Sequence, residues 1–189
     1  MLIDNLSIIG VGLIGGSLAR ALRKAKLVGR VTGCNRSEKT LKKAVELDVI
    51  DDYYLNISEA AKDADVIIIG TPLSVSEKIL PKLADSMSAN TILTDVGSVK
   101  GGIVNVAKEV LAEKFSNFVP GHPIAGTEKN GVEASFEDLF VNHRVILTPL
   151  KETSPKAHNL VTHMWKSVGA QVIDLDVKHH DEVLAATSH

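Results

Sequence analysis

Short apolar runs rich in β-branched residues alternate along the chain with stretches whose apolar residues recur at helical spacing. The run VIIIG at 66–70 is continuously apolar, which is typical of a strand buried on both faces of a sheet. Strands are predicted over 6–9, 30–34, 66–70, 91–95, 117–119, 144–148 and 171–175, and helices over 15–26, 38–47, 76–87, 100–115 and 132–139. This order predicts an α/β fold with a Rossmann-like, doubly wound, mainly parallel sheet.

Three further segments carry distinct signals. Ser154 and Pro155 form an N-cap and first-turn pair, and apolar residues follow at helical spacing until Gly169, so a helix is predicted between them. The stretch GHPIAGTEKNG at 121–131 holds three glycines and a proline, which predicts an irregular loop. The segment 179–189 begins as a helix without a C-terminal cap signal, which we interpret as the start of a further helical domain.

The first predicted strand leads directly into a G-x-G-x-x-G motif. In this motif Gly10 permits the tight turn, Gly12 lets the backbone approach a pyrophosphate, and Gly15 lets helix and strand pack closely. The N-terminus of the next helix supplies partial positive charge to the phosphates. Dinucleotide binding is therefore predicted for Gly10, Gly12, Leu13, Ile14 and Gly15, the alternative being a structural tight turn without a ligand.

The end of the second strand bears on the choice of nucleotide. It reads Cys34-Asn35-Arg36-Ser37 and lacks the acidic residue that usually holds the ribose 2′-hydroxyl of NAD. Asn35 can still form hydrogen bonds with a ribose hydroxyl, while Arg36 and Ser37 suit a 2′-phosphate. We therefore predict that these three residues bind the cofactor. The predicted cofactor is NADP or NAD, with NADP favoured. Two alternatives stay open: Arg36 and Ser37 merely begin the next helix, or Glu38 supplies the acid in a shifted register.

Other strand ends point to the same crevice, because ligands of open α/β sheets bind beyond the carboxyl ends of the strands. Thr71 and Pro72 follow the run VIIIG and are predicted to lie beside the cofactor. Ser98 follows the run TILTD and is predicted to reach a nicotinamide or a catalytic group, to cap the helix that begins near Lys100, or to do both. We interpret Asp95 as a buried, hydrogen-bonded structural acid.

His122 is the one histidine of seven that we predict to be catalytic. It follows a strand at the edge of the crevice, and an imidazole beside a nicotinamide can take a proton from a substrate hydroxyl while hydride leaves. Ser98 would then hold its other ring nitrogen; the alternative is a structural loop histidine. We assign His179 and His180, beside Asp181, to a helix cap or an ion pair, and no spacing indicates a metal site.

Composition excludes several classes of function. The chain has 189 residues and is 44% hydrophobic, which is enough for one sizeable core. A net charge of -2 and an aromatic content of 4% argue against nucleic-acid and membrane-surface binding. No apolar run approaches the ~20 residues that span a bilayer. A single cysteine and the lack of a signal-peptide pattern favour a cytoplasmic protein.

Seven segments resemble the TyrA family, the prephenate and arogenate dehydrogenases of tyrosine biosynthesis. They are GVGLIGGSLA, TPLSV, TDVGSVK, GHPIAGTEKNGVE, LFVN, VILTP and HDEVLAATSH, in order along nearly the whole chain, and the most specific are TDVGSVK and GHPIAGTE. The resemblance implies oxidative decarboxylation of prephenate to 4-hydroxyphenylpyruvate with hydride transfer to NAD(P)+, or formation of tyrosine from arogenate.

The resemblance also implies roles for individual residues. His122 matches the catalytic histidine, and Ser98 matches the serine that orients it and contacts the nicotinamide. Thr127 matches a substrate-contacting threonine, and His189 matches a histidine near the substrate, so these four residues form the implied substrate site. The family continues into a helical domain that dimerises. The resemblance therefore implies a dinucleotide-binding domain over 1–176, the first turns of a truncated helical domain over 177–189, and a homodimer for the full-length protein.

Two other interpretations stay open. One is another hydroxyacid dehydrogenase, of the kind that resembles six-phosphogluconate dehydrogenase and uses a lysine of its helical domain. The other is a nucleotide-binding regulatory module without catalysis. Because the family's helical domain supplies part of the substrate pocket, we expect this chain alone to bind cofactor with weak or no turnover.

Overall fold

The larger sheet of the computed structural model, which describes residues 1–187, has six parallel strands. The strands are β1 Ile3–Ile9, β2 Val28–Cys34, β3 Asp52–Tyr54, β4 Val66–Ile69, β5 Ile92–Asp95 and β6 Phe118–Val119. The helices between them are α1 Leu13–Lys24, α2 Glu38–Glu46, α3 Ile57–Lys62, α4 Leu73–Ser86 and α5 Gly101–Val110. The order β3-β2-β1-β4-β5-β6 reverses direction between β1 and β4, which opens a crevice at the carboxyl ends of these strands. The predicted α/β, doubly wound fold is confirmed.

The continuous apolar run at 66–70 contains β4, which is covered on both faces of the sheet. Val66 and Ile68 belong to the core cluster that contains the buried side chains of α1 and α2. Ile67 and Ile69 belong to the cluster that contains those of α4 and α5. Successive strand side chains point to opposite faces, so a strand covered on both sides must be apolar at every position.

A second, three-stranded sheet corrects the prediction of an irregular loop at residues 121–124, while 125–131 form no helix or strand, as predicted. It contains β7 Gly121–Ile124, β8 Arg144–Leu147 and β9 Gln171–Asp174, with α6 Pro155–Ser167 between the last two. Strand β7 runs antiparallel to β8, and β8 runs parallel to β9. Pro123 is tolerated because β7 is an edge strand, where its missing N–H removes no bond from the interior of the sheet. His122 therefore lies on a strand and not in a loop.

The predicted helix over 132–139 is wrong, because only Val132–Ala134 forms a 3₁₀ turn there. A helix would require the Phe136 N–H to reach the Val132 carbonyl. Instead Phe136 N donates to Ser17 Oγ on α1 at 3.1 Å, and the Val132 carbonyl accepts the Ser135 hydroxyl at 2.6 Å. Contacts with α1 have replaced the local helical bonds.

Two short elements, β3 and α3, were not predicted. Asn56 caps α3 by accepting the Ser58 N–H at 2.9 Å, and Glu59 lies in the first turn, so the local signal for this helix was present in the sequence. The predicted helix over 100–115 ends earlier, at Val110, and a 3₁₀ helix over Ala112–Asn117 follows. The Ser154 cap of α6 is confirmed, since its hydroxyl accepts the Ala157 N–H at 3.2 Å.

The last described helix is α7, Val177–Thr187, which confirms a helix at this point of the chain. Its start is capped by Asp176, whose Oδ1 accepts the His179 N–H at 2.9 Å. No helix within residues 1–187 combines the length and the apolar character needed to cross a bilayer.

A buried ion pair joins the two sheets. Lys100 and Asp95 are 0% and 2% exposed, and the Lys100 ammonium donates to the Asp95 carboxylate and to the Gly121 carbonyl, the latter at 2.6 Å. The other Asp95 oxygen accepts the Gly121 N–H at 3.1 Å. The interpretation of Asp95 as a buried, hydrogen-bonded acid is confirmed, and these bonds fix the start of β7 against the end of β5.

Replacing Lys100 should therefore destabilise the fold. Lys100→Ala leaves Asp95 buried without its counter-charge, and we expect a loss of about 3–5 kcal/mol in the free energy of unfolding. The measurement is urea denaturation followed by fluorescence of the single, buried Trp165. Lys178→Ala, which removes only an exposed pair with Glu182, is the matched control and should change little.

The double variant Asp95→Asn, Lys100→Met removes both charges together and should recover part of the loss. A loss below about 1 kcal/mol for Lys100→Ala would contradict the stabilising role of this pair.

Candidate active site

The glycine turn between β1 and α1 forms the floor of the crevice. Gly10 has φ +100°, and a Cβ there would lie 2.7 Å from the Gly70 carbonyl carbon, so no side chain fits. A Cβ on Gly15 would lie 2.7 Å from Ile8 Cγ2, which shows how closely α1 packs on β1. A Cβ on Gly12 would meet nothing within 4 Å, so this position opens onto the cleft.

The start of α1 offers donors to an anion. Gly12 occupies the N-cap position and the helix has no side-chain cap, while the first N–H groups of any α-helix lack partners within the helix. The turn therefore presents free amide groups and the positive end of the helix dipole next to open space. These features fit a pyrophosphate.

One arm of the crevice, of about 420 Å³, runs from the glycine turn across the end of β2. Its lining includes Asn35 and Arg36 after β2, Thr71 and Pro72 after β4, and four apolar side chains, namely Leu55, Ile57, Val75 and Ile79. The Asn35 side-chain amide donates to the Val11 carbonyl at 3.3 Å. A cavity lined mainly by apolar side chains with a few polar groups suits an adenosine.

Ser37 and Glu38 do not reach this arm of the crevice. Ser37 Oγ accepts the Thr40 N–H at 3.3 Å and so caps α2. The Glu38 carboxylate accepts the Tyr53 hydroxyl at 3.0 Å and pairs with Lys42 at 3.2 Å, and these two partners lower its pKa. Of the residues predicted at the end of β2, the structure brings Asn35 and Arg36 to the cleft wall.

The other arm of the crevice, of about 580 Å³, extends from the same glycine turn to β7. Its lining includes the remaining predicted residues, namely Gly10, Gly12, Leu13, Ile14, Gly15, Thr71, Pro72, Ser98, His122 and Thr127. Thr127 is exposed and its hydroxyl donates to the Lys129 carbonyl at 3.0 Å. His189, predicted at the substrate site, lies outside the described residues.

The hydrogen-bond partner of His122 differs from the expected one. Its Nδ1 lies 3.0 Å from Nε2 of His180, and Ser98, which lines the cleft beside it, makes no hydrogen bond with the ring. The reason is topological: α7 returns to the carboxyl end of the sheet and inserts His180, fully buried, behind β7. His180 was predicted to serve in a cap or ion pair, and nothing in the local sequence indicates its contact with His122.

Asp181 takes the capping role that was one alternative for Ser98. Its Oδ1 accepts the Lys100 N–H at 2.9 Å, and its Oδ2 accepts the Gly101 N–H at 2.8 Å, at the start of α5. Oδ1 also lies 2.7 Å from His180 Nδ1, so the expected contact between His180 and Asp181 is present. Burial opposes ionisation of Asp181, but these donors outweigh it and lower its pKa.

The environment of His122 keeps its ring uncharged. Burial lowers the pKa of His122 to about 4, and the positive charge of Lys100 and that of His180 when protonated add to this effect, while Asp181 opposes it. At neutral pH the ring is therefore free to accept a proton or a hydrogen bond. Among the described residues, no group of three or more His, Cys, Asp or Glu is arranged to hold a metal ion.

A glycine turn at a helix N-terminus, in a crevice at the reversal point of a parallel sheet, defines a Rossmann-type nucleotide-binding domain. The sequence profile of the family described as "Prephenate dehydrogenase, nucleotide-binding domain" matches residues 18–174. The chain belongs to this family.

Known relatives are similar over almost the whole chain. Prephenate dehydrogenase of Bacillus subtilis is 36% identical over 187 residues, which are 98% of this chain and 50% of that protein. The solved structure of prephenate dehydrogenase from Aquifex aeolicus with hydroxyphenyl propionate and NAD+ has 36% identity and a TM-score of 0.89, covering 96% of this chain and 63% of that one. Synechocystis arogenate dehydrogenase has 33% identity and a TM-score of 0.87, covering 98% and 64%. The chain thus spans between half and just under two thirds of the length of these relatives.

The low pKa of His122 predicts a specific dependence of stability on pH. The unfolded chain has the ordinary value of 6.5 and the folded chain about 4, so between these values the unfolded state binds more protons. Folding stability contributed by His122 should be complete above about pH 6.5 and fall as the pH drops towards 4.

The measurement is urea denaturation of the wild type and of His122→Gln across this range. The difference between their free energies of unfolding should be constant above about pH 6.5 and shift against the wild type below it. A difference that stays constant down to pH 4 would mean that His122 titrates normally in the folded chain.

Proposed function

We propose that the chain is the dinucleotide-binding part of an enzyme that oxidatively decarboxylates prephenate to 4-hydroxyphenylpyruvate with NAD(P)+ as hydride acceptor. The observation that carries this proposal is the second arm of the crevice, where one continuous cleft joins the glycine turn to the uncharged ring of His122. Membership of the family supports the same chemistry.

In this proposal the two arms of the crevice divide the dinucleotide between them. The apolar slot beside Asn35 and Arg36 takes the adenosine, and the amides at Gly12, Leu13 and Ile14 hold the pyrophosphate. The nicotinamide then lies towards Ser98 and His122, with Thr71 and Pro72 on the opposite wall. When bound, the oxidised nicotinamide supplies the acceptor for a hydride.

His122 is proposed to accept the proton of the ring hydroxyl while the C–H hydride leaves. Loss of the ring carboxylate as CO2 and aromatisation of the ring then complete the reaction. Because its pKa is low, the His122 ring is uncharged at neutral pH, and its bare nitrogen has a lone pair that can accept a proton. Ser98 and Thr127 line the same cleft and are proposed to contact the substrate, with His189 added from the family resemblance.

Two alternatives have specific support. Synechocystis arogenate dehydrogenase is similar over 98% of the chain, which favours arogenate as a second candidate substrate, with tyrosine as product. The chain spans only part of its relatives' length, which leaves a nucleotide-binding module without its own turnover as the other candidate. We keep residues 1–176 as the proposed dinucleotide-binding domain and 177–189 as the start of a helical one, in a cytoplasmic protein that forms a homodimer at full length.

The function is tested by a steady-state assay that crosses prephenate and arogenate with NAD+ and NADP+. The assay is run on this 189-residue chain and on the full-length natural protein, because the relatives are longer. We expect turnover by the full-length protein and little or none by the chain alone, although both bind dinucleotide. His122→Asn in the full-length protein should lower kcat by about 10²–10⁴-fold with little change in dinucleotide affinity, since it removes the proton acceptor.

His163→Asn is the matched control, because His163 is an exposed histidine of α6 that does not line the cleft. Turnover that survives His122→Asn would overturn the assignment of His122. Dinucleotide binding by a full-length protein that turns over neither substrate would support the non-catalytic module.

The choice between NAD and NADP depends on Arg36 in this proposal. The residues after β2 favour NADP, but the relatives described above give this preference no support, and the Aquifex structure contains NAD+. Ser37 is occupied as a helix cap and Glu38 is bound by Tyr53 and Lys42, so neither is free to read the ribose. Of the residues predicted at the end of β2, the exposed Arg36 at the cleft wall is therefore the charged one that can bind a 2′-phosphate.

Arg36→Ala separates the two cofactors by titration calorimetry on the 189-residue chain. If Arg36 pairs with a 2′-phosphate, the Kd for NADP+ should rise about 10-fold or more while that for NAD+ changes little, because a charge-assisted bond is lost for one ligand only. Lys39→Ala is the control, since Lys39 carries the same charge on α2 but does not line this arm of the crevice. Equal changes for both cofactors would show that Arg36 stacks on or merely borders the adenine.

A further inference from the structure

Three side chains, that of His122 on β7 and those of the adjacent His180 and Asp181 on α7, form a hydrogen-bonded row behind the cleft. Asp181 Oδ1 lies 2.7 Å from His180 Nδ1, and His180 Nε2 lies 3.0 Å from His122 Nδ1. His180 is fully buried, whereas His122 lines the cleft. The row therefore connects the Asp181 carboxylate, through the buried His180 ring, to His122, which is the proton acceptor in the proposed function.

The direction of these hydrogen bonds follows from the carboxylate. An ionised carboxylate only accepts, so the hydrogen between Asp181 and His180 belongs to Nδ1 of His180. Asp181 also accepts two backbone N–H groups, so its charge is shared with the start of α5. A neutral ring with a hydrogen on Nδ1 has a bare Nε2, which can only accept. His122 Nδ1 must then donate, and the bare nitrogen of His122 is Nε2.

We propose that His180 and Asp181 are positioning residues that fix the tautomer and orientation of His122, so that its Nε2 is the atom that accepts the substrate proton. This inference rests on the proposed function for its chemical meaning, but the tautomer itself is a property of the unliganded chain. Neither residue transfers the proton. The role that the sequence analysis gave to Ser98, holding the second nitrogen of His122, passes to His180.

The same carboxylate also fixes the backbone on which His122 stands. Asp181 holds the N–H groups of Lys100 and Gly101, and the Lys100 ammonium in turn binds the Gly121 carbonyl next to His122. One residue of α7 thus restrains both the ring of the proposed base and the strand that carries it. A helix cap alone would require only the bonds to α5.

The test is the protonation pattern of His122 in the 15N-histidine-labelled 189-residue chain at neutral pH. Long-range 1H–15N spectra distinguish a protonated ring nitrogen from a bare one, and His122→Asn assigns the signals. We expect one tautomer, with hydrogen on Nδ1 and a bare Nε2. A His122 ring with its hydrogen on Nε2, or a doubly protonated His180 that donates to His122, would overturn the proposal without any variant.

Two variants then test the cause. His180→Phe keeps a ring in the buried site but removes the acceptor, and Asp181→Asn keeps the shape of the cap but removes the charge. In each, the His122 signals should change from one tautomer to a mixture, whereas His179→Phe, on the exposed neighbour, should leave them unchanged. An unchanged tautomer in folded His180→Phe and Asp181→Asn would overturn the positioning role.

Activity separates this inference from the proposed function. In the full-length protein, His180→Phe should lower kcat by about 100-fold with an unchanged KM for the dinucleotide, because the proton acceptor is misplaced. If the wild-type tautomer is as expected but neither prephenate nor arogenate is turned over, the proposed function fails and the positioning stands. If His122 is essential for turnover but carries its hydrogen on Nε2, the positioning fails and the function stands.

Discussion

The buried pair of Asp95 and Lys100 is the constraint on which the candidate site depends. One wall of the crevice belongs to the six-stranded sheet and the other to the three-stranded sheet, and this pair connects them at Gly121. A charge pair removed from water has a large desolvation cost, so it is stable only where both partners are fully hydrogen-bonded. That requirement fixes the place where β7 starts, and with it the position of His122 relative to the glycine turn.

The local parts of the site were predictable because their signals are local. The glycine turn, the apolar run of β4 and the Ser154 cap each depend on residues within a few positions of one another, and all three are present in the structure. The end of β2 was only partly predictable. Its residue types suit a 2′-phosphate, but the structure uses the Ser37 hydroxyl for a helix cap, a competition that the sequence left open.

The parts that were not predictable depend on long-range contacts. His122 and His180 are 58 residues apart, and nothing in either local sequence indicates that they meet. The stretch 121–124 has the composition of a loop and becomes a strand because β8 pairs with it. The stretch 132–139 has the periodicity of a helix and fails to form one because Ser17 of α1 and the Ser135 hydroxyl bind the backbone groups that a helix would pair. In each case tertiary structure overrode local preference.

Gly10 and Gly70 meet at the bottom of the crevice with no room for a Cβ on either, and Gly12 faces open space above them. The floor of the crevice at these glycines therefore consists of main-chain atoms and has no side-chain torsions to order. Much of the cost of binding a flexible ligand comes from ordering the protein groups around it. The main chain of this floor already lost its conformational entropy when the chain folded. The entropy change when a phosphate binds there is therefore only that of the phosphate and of its bound water.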